Sequence, residues 1–549
     1  MPDKHESKEK QKEPQQQAWK TTEEDGSVII KEGARRTDGR TDGREGKRWG
    51  IFTGNTRKKA HPPPPAHQLA FFALPTGSAR IRFPSDNSVF YNPVQQFNRD
   101  LSIAAINTWS KLYFLEKAAH ENPSREWTED EVYNMAEPDM TSEAYKDRKF
   151  TVLEALSATG LRSIRYANEL HHVGSILAND LSPQAKESIE KNARDNKVDS
   201  IVKANCGDAA LVMYQNISTK FDVIDLDPYG SATQFIDAAV QSVADGGLLC
   251  VTCTDMAVLC GSQPESCFVK YAGMPLPNSP FCHEMALRLV LNTIQTSAAR
   301  YRRFIEPMAS FSIDFYVRMF VRVYTGPQEA KKIAGRTSMV YQCIGCKTFV
   351  TERLGKSVEI DGAFKQGARL GPPIDRDCVH CGKRSHVGGP YYSGPIHNRE
   401  FVARMLKYVK EVPESTFGTR PRMLGMLTVA FEELYTPFYY TLSALCGTVH
   451  CTSPRMIDIC SAIYNLGFRV SLTHATAASL KTDAPPEAIW DIMRKWVENT
   501  LPKDDDKRAA VLAKRKEEAD RGKHPKADPP SRSIKLVRYQ ENPTKNWGP

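Results

Sequence analysis

The segment Asp225-Leu-Asp227-Pro228-Tyr229-Gly230 is the clearest place in the sequence for chemistry. An apolar stretch precedes it and a helix-length stretch follows, so it reads as a turn at the end of a strand. A carboxylate there, together with a backbone carbonyl, accepts the hydrogens of an exocyclic base amine. Such an amine is a poor nucleophile because its lone pair is delocalised into the ring. Two acceptors turn that lone pair toward an electrophilic methyl group. Pro228 stiffens the turn, and Tyr229 offers a face on which a base stacks. The competing reading is a tight turn without chemistry, and the strand-end setting weighs against it.

Three other strand ends suit a cofactor that carries a ribose and an adenine. In Glu154-Ala-Leu-Ser-Ala-Thr-Gly160 a strand turns sharply into a helix, which aims backbone amides at a ligand. Only Gly160 survives of the usual three glycines, with Ser157 and Ala158 as small substitutes. Asp180 closes the next apolar run, where an acid takes ribose hydroxyls, and Asp208 closes the third, where it suits an adenine amine. A helix N-cap is the competing role for each acid. The absence of Gly-x-Gly-x-x-Gly disfavours a nicotinamide oxidoreductase.

Cys343-Ile-Gly-Cys346 and Cys378-Val-His-Cys381 form two Cys-x-x-Cys knuckles. Four thiolates make a closed structural zinc site with no open position for catalysis. His380 and His386 lie near enough to replace a ligand, but solvated side chains suit them better. The pairs also suit redox chemistry, though two knuckles together favour metal. Arg300, Arg302 and Arg303 around Tyr301 read equally as a phosphate-contacting patch or a solvated helix end.

The elements that position these residues alternate. Apolar runs at 152–156, 175–178, 201–204, 223–226 and 248–252 read as strands, separated by helix-length stretches such as 161–170 and 182–196. That alternation predicts an α/β fold with a parallel sheet covered on both faces. Residues 311–324 read as one long β-rich run closing this half, and a helical region begins at Asn398.

With 549 residues the chain has room for two or three domains plus tails. Its formal charge of +9 is compatible with a polyanionic partner. Thirteen cysteines in so long a chain do not read as a disulfide framework. No apolar stretch is long enough for a membrane helix, and the charged start lacks the features of a signal or transit peptide, so an intracellular location is expected. Residues 1–84 read as largely disordered, with the repeat Thr37–Arg44 and the run Pro62–Pro65 unable to build a core. A charged loop is expected at about 121–149 and a charged tail at 501–549.

Assembled in order, these motifs resemble the tRNA guanine-26 N2-dimethyltransferases of eukaryotes and archaea. The likeness runs through Val89-Phe-Tyr-Asn-Pro93, Phe97-Asn-Arg-Asp100, Glu154–Arg165, Ala178-Asn-Asp180, Ile224–Gly230, Val251–Asp255, Ser471–Ala475 and Leu480–Pro485. It implies a Rossmann-like S-adenosylmethionine-dependent methyltransferase domain at 85–330. A family-specific α+β C-terminal domain with the four-cysteine zinc site follows at 331–500. It further implies that Arg99 contacts the cofactor carboxylate, with Arg162 or Arg165 as a second cofactor arginine. Asp180 takes the ribose, Asp208 and Ala209 the adenine, and Asp227 is the catalytic carboxylate. The implied partner is tRNA, and the implied compartments are the nucleus and mitochondrion; no stable protein partner is indicated. Family members carry a compact segment before the Phe-Tyr-Asn-Pro motif. Here Lys31-Glu-Gly33 and Ser78–Pro84 look like its halves, separated by an insertion at 34–77 that is either lineage-specific or a retained intron. The alternatives are a base-amine methyltransferase acting on other RNA or DNA, and a non-catalytic tRNA-remodelling protein.

Overall fold

The computed structural model describes residues 21–22, 28–31, 79–83, 95–121, 148–360, 363–371 and 373–500. The run 34–77, the motif Val89–Pro93, the charged loop from 122 to 147 and the tail from 501 lie outside the described residues.

The apolar runs become β1 (Phe150–Glu154), β2 (Val173–Asp180), β3 (Val202–Cys206), β4 (Phe221–Leu226) and β5 (Val243–Cys253). These five pair in parallel, in the order β3-β2-β1-β4-β5. The order reverses beside β1, and open sheets of this kind bind ligands at the carboxyl ends of the strands next to that switch. A hairpin of β6 (Arg303–Ile313) and β7 (Tyr316–Thr325) extends the sheet, with β7 antiparallel to both β5 and β6. The single run expected at 311–324 is therefore two strands. Asp314, at φ 45°, turns the chain between strands buried on both sides, and no glycine or proline marks the hairpin.

Alternation along β1 divides the core. Val152 faces one hydrophobic cluster with Ile176, Ile164 and Trp109, while Leu153 faces another with Ile224, Leu249 and Ile294. The first face is covered by α1 (Gln96–Glu121), α2 (Leu161–Glu169) and α3 (Pro183–Asp195). Ser182 caps α3 by accepting from the Ala185 amide, and Pro183 occupies its first turn, as the Ser-Pro start predicts. The second face is covered by α5 (Thr233–Ser242) and α6 (Cys282–Arg300), with the short α4 (Ala209–Gln215) beside them. Two later helices, α7 (Arg399–Glu411) and α8 (Arg420–Glu432), bring Phe401, Met405 and Met423 into the first cluster.

Beyond β7 come β8 (Thr337–Cys343), β9 (Phe349–Arg353), β10 (Gly355–Ile360), β11 (Ala363–Ala368) and β12 (Ser385–Tyr392). They form a sheet in the order β9-β8-β12 and a β10-β11 hairpin. A third cluster joins Cys343 and Cys346 to the helices Leu442–Val449, Met456–Asn465 and Pro486–Thr500. Near the N-terminus, Val28–Lys31 pairs antiparallel with Arg80–Phe83, placing Lys31 opposite Arg80. The Arg80 amide donates to Asn196 Oδ1 at 2.8 Å, tying this pair to the end of α3. Among the described residues no helix is long and apolar enough to cross a membrane.

Candidate active site

Because β1 to β5 are parallel, their carboxyl ends share one edge, and the motifs converge there. The turn after β1 needs two left-handed residues, Ala158 at φ 49° and Gly160 at φ 77°. A Cβ on Gly160 would come within 3.2 Å of Ile189 Cγ2, so the turn sits against α3 and glycine fits it best. Asp180, half-buried, accepts from the Ala158 amide at 2.9 Å through Oδ2 and from the Ser182 amide at 3.0 Å through Oδ1. An ionised carboxylate has about four lone-pair sites, so acceptor capacity remains for ribose hydroxyls. Asp208 caps α4, accepting from the Leu211 amide at 2.9 Å through Oδ1, and Ala209 is buried as the helix begins. Next to Asp180, Leu181 is 71% exposed, an apolar surface at the carboxyl edge of the sheet that sequence reasoning passed over. Its signal was an apolar residue directly after a strand-end acid.

The turn after β4 separates two acids that the sequence sets side by side. Asp225 points into the core, where Arg318 holds both its oxygens at 2.8 Å and Tyr166 donates at 2.5 Å. Burial alone would raise its pKa, but the Arg318 and Arg162 guanidiniums bring it down to about 2. Asp225 is thus a fixed structural charge. Asp227 stands at the mouth of the site, its side chain 20% exposed, and Arg162 Nη2 donates to its Oδ2. Arg162 is itself held at 3.2 Å by Asn98 Oδ1 and at 3.3 Å by Ser102, with Glu154 and Asp225 each at 3.6 Å. Among the described residues nothing donates to Asp227 Oδ1. Pro228 is buried, while Tyr229 is 89% exposed. Gly230, at φ 81°, donates to Thr254 Oγ1 at 2.8 Å and accepts from the Thr254 amide at 2.8 Å, which locks the turn to the end of β5.

The Asn-Arg-Asp motif lies on α1 behind this turn. Arg99 is buried; desolvation and the neighbouring cations Arg162 and Arg165 lower its pKa to about 9, against the pull of Asp100 and Asp227. Arg165 is committed elsewhere, bridging Asp100 and Glu169 at 2.8 Å each. Of the two arginines left open by the sequence, Arg162 is the one beside Asp227. Glu154, buried behind Arg162, has its pKa raised to about 7 by desolvation, with Arg162 and Ser163 acting in the opposite sense. Burial pushes the Cys253 thiol up to about 12, so it stays protonated near the site.

The expected basic patch after α6 is not wholly a surface feature. Arg303 is buried and donates to the carbonyls of Val240, Val243 and Ala244, while Tyr301 donates to Asp237 at 2.9 Å. Desolvation by the sheet explains why Arg303 serves backbone carbonyls rather than a phosphate.

The four knuckle cysteines come together. Cys343 Sγ lies 3.3 Å from Cys381 Sγ and Cys346 Sγ 3.6 Å from Cys378 Sγ, with all four within 4.8 Å of one another. Zn–S bonds of about 2.3 Å in a tetrahedron place sulfurs about 3.8 Å apart, so the donor set fits such an ion. Gly345 is required here, because a Cβ would lie 3.0 Å from Cys381 Sγ. Thr348, unmarked in the sequence, links Cys346 Sγ at 3.0 Å to Trp490 Nε1 at 2.7 Å and so joins the knuckles to the final helix. His386 is exposed, but His380 is half-buried, tilted against Trp490 and 3.8 Å from Glu487.

A second group, His397, Glu433 and His474, is wholly buried. The Ser310 amide donates to His397 Nδ1 and the Ser312 amide to His474 Nε2, each at 3.3 Å. Those donors fix the tautomers so that each ring turns a protonated nitrogen toward Glu433, which opposes metal binding there. Lys481 bridges Glu433 at 2.9 Å and Glu284 at 3.0 Å, making the group a buried ion cluster between α6 and the later elements.

Comparison with known proteins gives the family. A family model described as N2,N2-dimethylguanosine tRNA methyltransferase matches residues 73–494. The chain is 44% identical over 515 residues to the mouse tRNA (guanine(26)-N(2))-dimethyltransferase, covering 88% of this chain and 77% of that one. It is 44% identical over 504 residues to the Schizosaccharomyces pombe protein of the same name, covering 87% and 92%. The Saccharomyces cerevisiae relative, whose name adds "mitochondrial", is 40% identical over 530 residues, covering 87% and 92%. Among solved structures, Trm1 from Pyrococcus horikoshii with S-adenosyl-L-methionine superposes with a TM-score of 0.60 at 26% identity, covering 76% of this chain and 97% of that one.

Proposed function

The chain belongs to the N2,N2-dimethylguanosine tRNA methyltransferase family, and from that premise we propose how its sheet edge dimethylates N2 of guanine 26 in tRNA. The observation that carries the reading is the Asp227 turn, anchored by Arg162 on one oxygen and flanked by the exposed Tyr229.

The residues at the edge fit S-adenosylmethionine. Asp180 takes the ribose hydroxyls with its remaining acceptor capacity, while Asp208 and Ala209 meet the adenine on one side and Leu181 on the other. Gly160 keeps the turn close, and Arg99 faces the carboxylate end. The bound cofactor supplies a methyl group made electrophilic by its positive sulfonium. The protein supplies alignment: Asp227 Oδ1 accepts a hydrogen of the guanine amine, and a backbone carbonyl of the turn accepts the other. The base leaves its stack to reach the edge and lies against Tyr229. Arg162 holds the carboxylate in place, and Asp227 stabilises the positive charge that grows on the amine.

The four cysteines hold a zinc ion with no open position, so its role is structural. The change from the seven-stranded sheet to the cysteine-bearing strands supports a division into 85–330 and 331–500, although α7 and α8 return to the core of the sheet. Direct pairing of Lys31 with Arg80 supports the reading of 34–77 as an insertion, because the residues on either side meet without it. The nucleus and mitochondrion are the proposed compartments; the mitochondrial name of the yeast relative supports the second. Incubation of tRNA with labelled cofactor, followed by mass spectrometry of nucleosides, tests the reaction. N2,N2-dimethylguanosine at position 26 is expected, and its absence with an active cofactor pool rejects the reading.

A further inference from the structure

The edge of the sheet opposite Asp227 carries a basic groove. Its position follows from register. β5 ends at Cys253 on the Asp227 edge, β7 runs back from there, and β6 pairs with β7 so that Arg303 lies opposite Thr325. The residues Phe304 to Pro307 therefore lie on the far edge, on the outermost strand. A cavity of about 790 Å³ opens beside them and shares Gly335, Arg336 and Arg353 with a second cavity of about 330 Å³.

The lining is cationic: Lys332, Arg336, Arg353, Lys356, Arg369 and Arg399. Arg336 pairs with Glu329 at 2.8 Å and Arg369 with Glu352 at 2.5 Å. Arg353 and Lys356 are exposed and have no ion-pair partner among the described residues. The two acids in the lining are engaged, Glu306 by Asn398 at 2.9 Å and Glu400 by Arg404 at 3.2 Å. Backbone packing brings the cations together. A Cβ on Gly355 would lie 2.7 Å from Ala334 Cβ, so only glycine lets the β9–β10 turn close on the Ile333–Arg336 turn. An aromatic surface adjoins the charges: Tyr435 is 45% exposed, with the Arg399 guanidinium 5.2 Å from its ring centre.

We propose that this groove binds the sugar-phosphate backbone of the same tRNA whose guanine enters at Asp227. The inference rests on the tRNA reading above. Guanidiniums match phosphate oxygens with paired donors, and an exposed aromatic beside them accepts a base face. At about 3.3 Å per residue along the strands and about 4.8 Å between them, this register sets Phe304–Pro307 roughly 20 Å from Asp227. A structured RNA spans that separation and a free nucleotide does not, so the groove selects for the size of the substrate.

The test uses the full chain with Arg353→Ala and Lys356→Ala combined. Fluorescence titration of tRNA over a range of salt is compared with titration of S-adenosylmethionine. The double variant is expected to bind tRNA about tenfold more weakly and to lose roughly 1.5–2 units of salt slope, because two phosphate contacts are gone. Cofactor affinity and the single-turnover rate at saturating tRNA are expected to stay unchanged. The charge-keeping Arg353→Lys, Lys356→Arg pair is expected to restore most of the affinity. Wild-type tRNA affinity and salt slope in the double alanine variant overturn the proposal and leave the groove to an acidic peptide. Failure of the wild-type chain to methylate tRNA overturns the underlying reading instead.

Discussion

Arg162 grips one oxygen of Asp227, and among the described residues none donates to the other. These residues sit on α2 and on the turn after β4, and a buried set of partners holds the arginine from behind. The Asp227 carboxylate is therefore oriented before any substrate arrives, and in the catalytic role proposed for it this lowers the cost of ordering it in the transition state.

Asp180 joins the turn after β1 to the start of α3 through its two amide contacts. Asp180→Ala is expected to weaken S-adenosylmethionine binding by about tenfold to a hundredfold, the loss of a charge-assisted hydrogen bond worth about 1.5–3 kcal/mol. Calorimetric titration of the folded variant checks this, and unchanged affinity would reject the ribose assignment.

Glu154 supplies a pH signature. Its folded pKa is raised to about 7, so its contribution to stability is complete below its ordinary value and is lost as pH rises through 7. Glu154→Gln removes that titration. Relative to the wild type, the variant is expected to gain stability between about pH 6 and about pH 8. Urea midpoints measured at both pH values decide the matter; a constant difference would mean that Glu154 does not titrate in this range.

How far the site could be read from sequence depended on whether its cause was local. The run expected at 152–156 overshot the end of β1 at Glu154, because Leu156 continues the apolar pattern. The strand ends at Asp180 and Leu226 were legible because short apolar runs stop at small or acidic residues. The Asp314 turn was not, since no glycine or proline announces it and buried residues flank it. The Arg162 to Asp227 contact joins residues distant in sequence, and a single chain gives no sign of which arginine of the motif faces Asp227. The cluster of Glu284, Glu433, His474 and Lys481 was missed for the same reason: its members come from four separate elements. Burial also reversed the expected surface role of Arg303.

Cys343→Ser or Cys378→Ser is expected to lower zinc content and to destabilise the C-terminal half, because structural zinc binding is coupled to folding. Cofactor affinity should survive, as the cysteines lie outside the seven-stranded sheet. Metal analysis of protein purified without chelator is the check, and a zinc-free wild-type preparation that is stably folded would contradict the assignment.

The single-turnover rate of Asp227→Asn, at saturating tRNA and cofactor, bears most directly on the catalytic role of the Asp227 carboxylate. The substitution keeps an acceptor for the amine but removes the negative charge. The expected result is a fall of about a hundredfold or more in methyl transfer, with S-adenosylmethionine affinity little changed. Methylation at the wild-type rate would contradict charge stabilisation by Asp227 and leave alignment alone as its contribution.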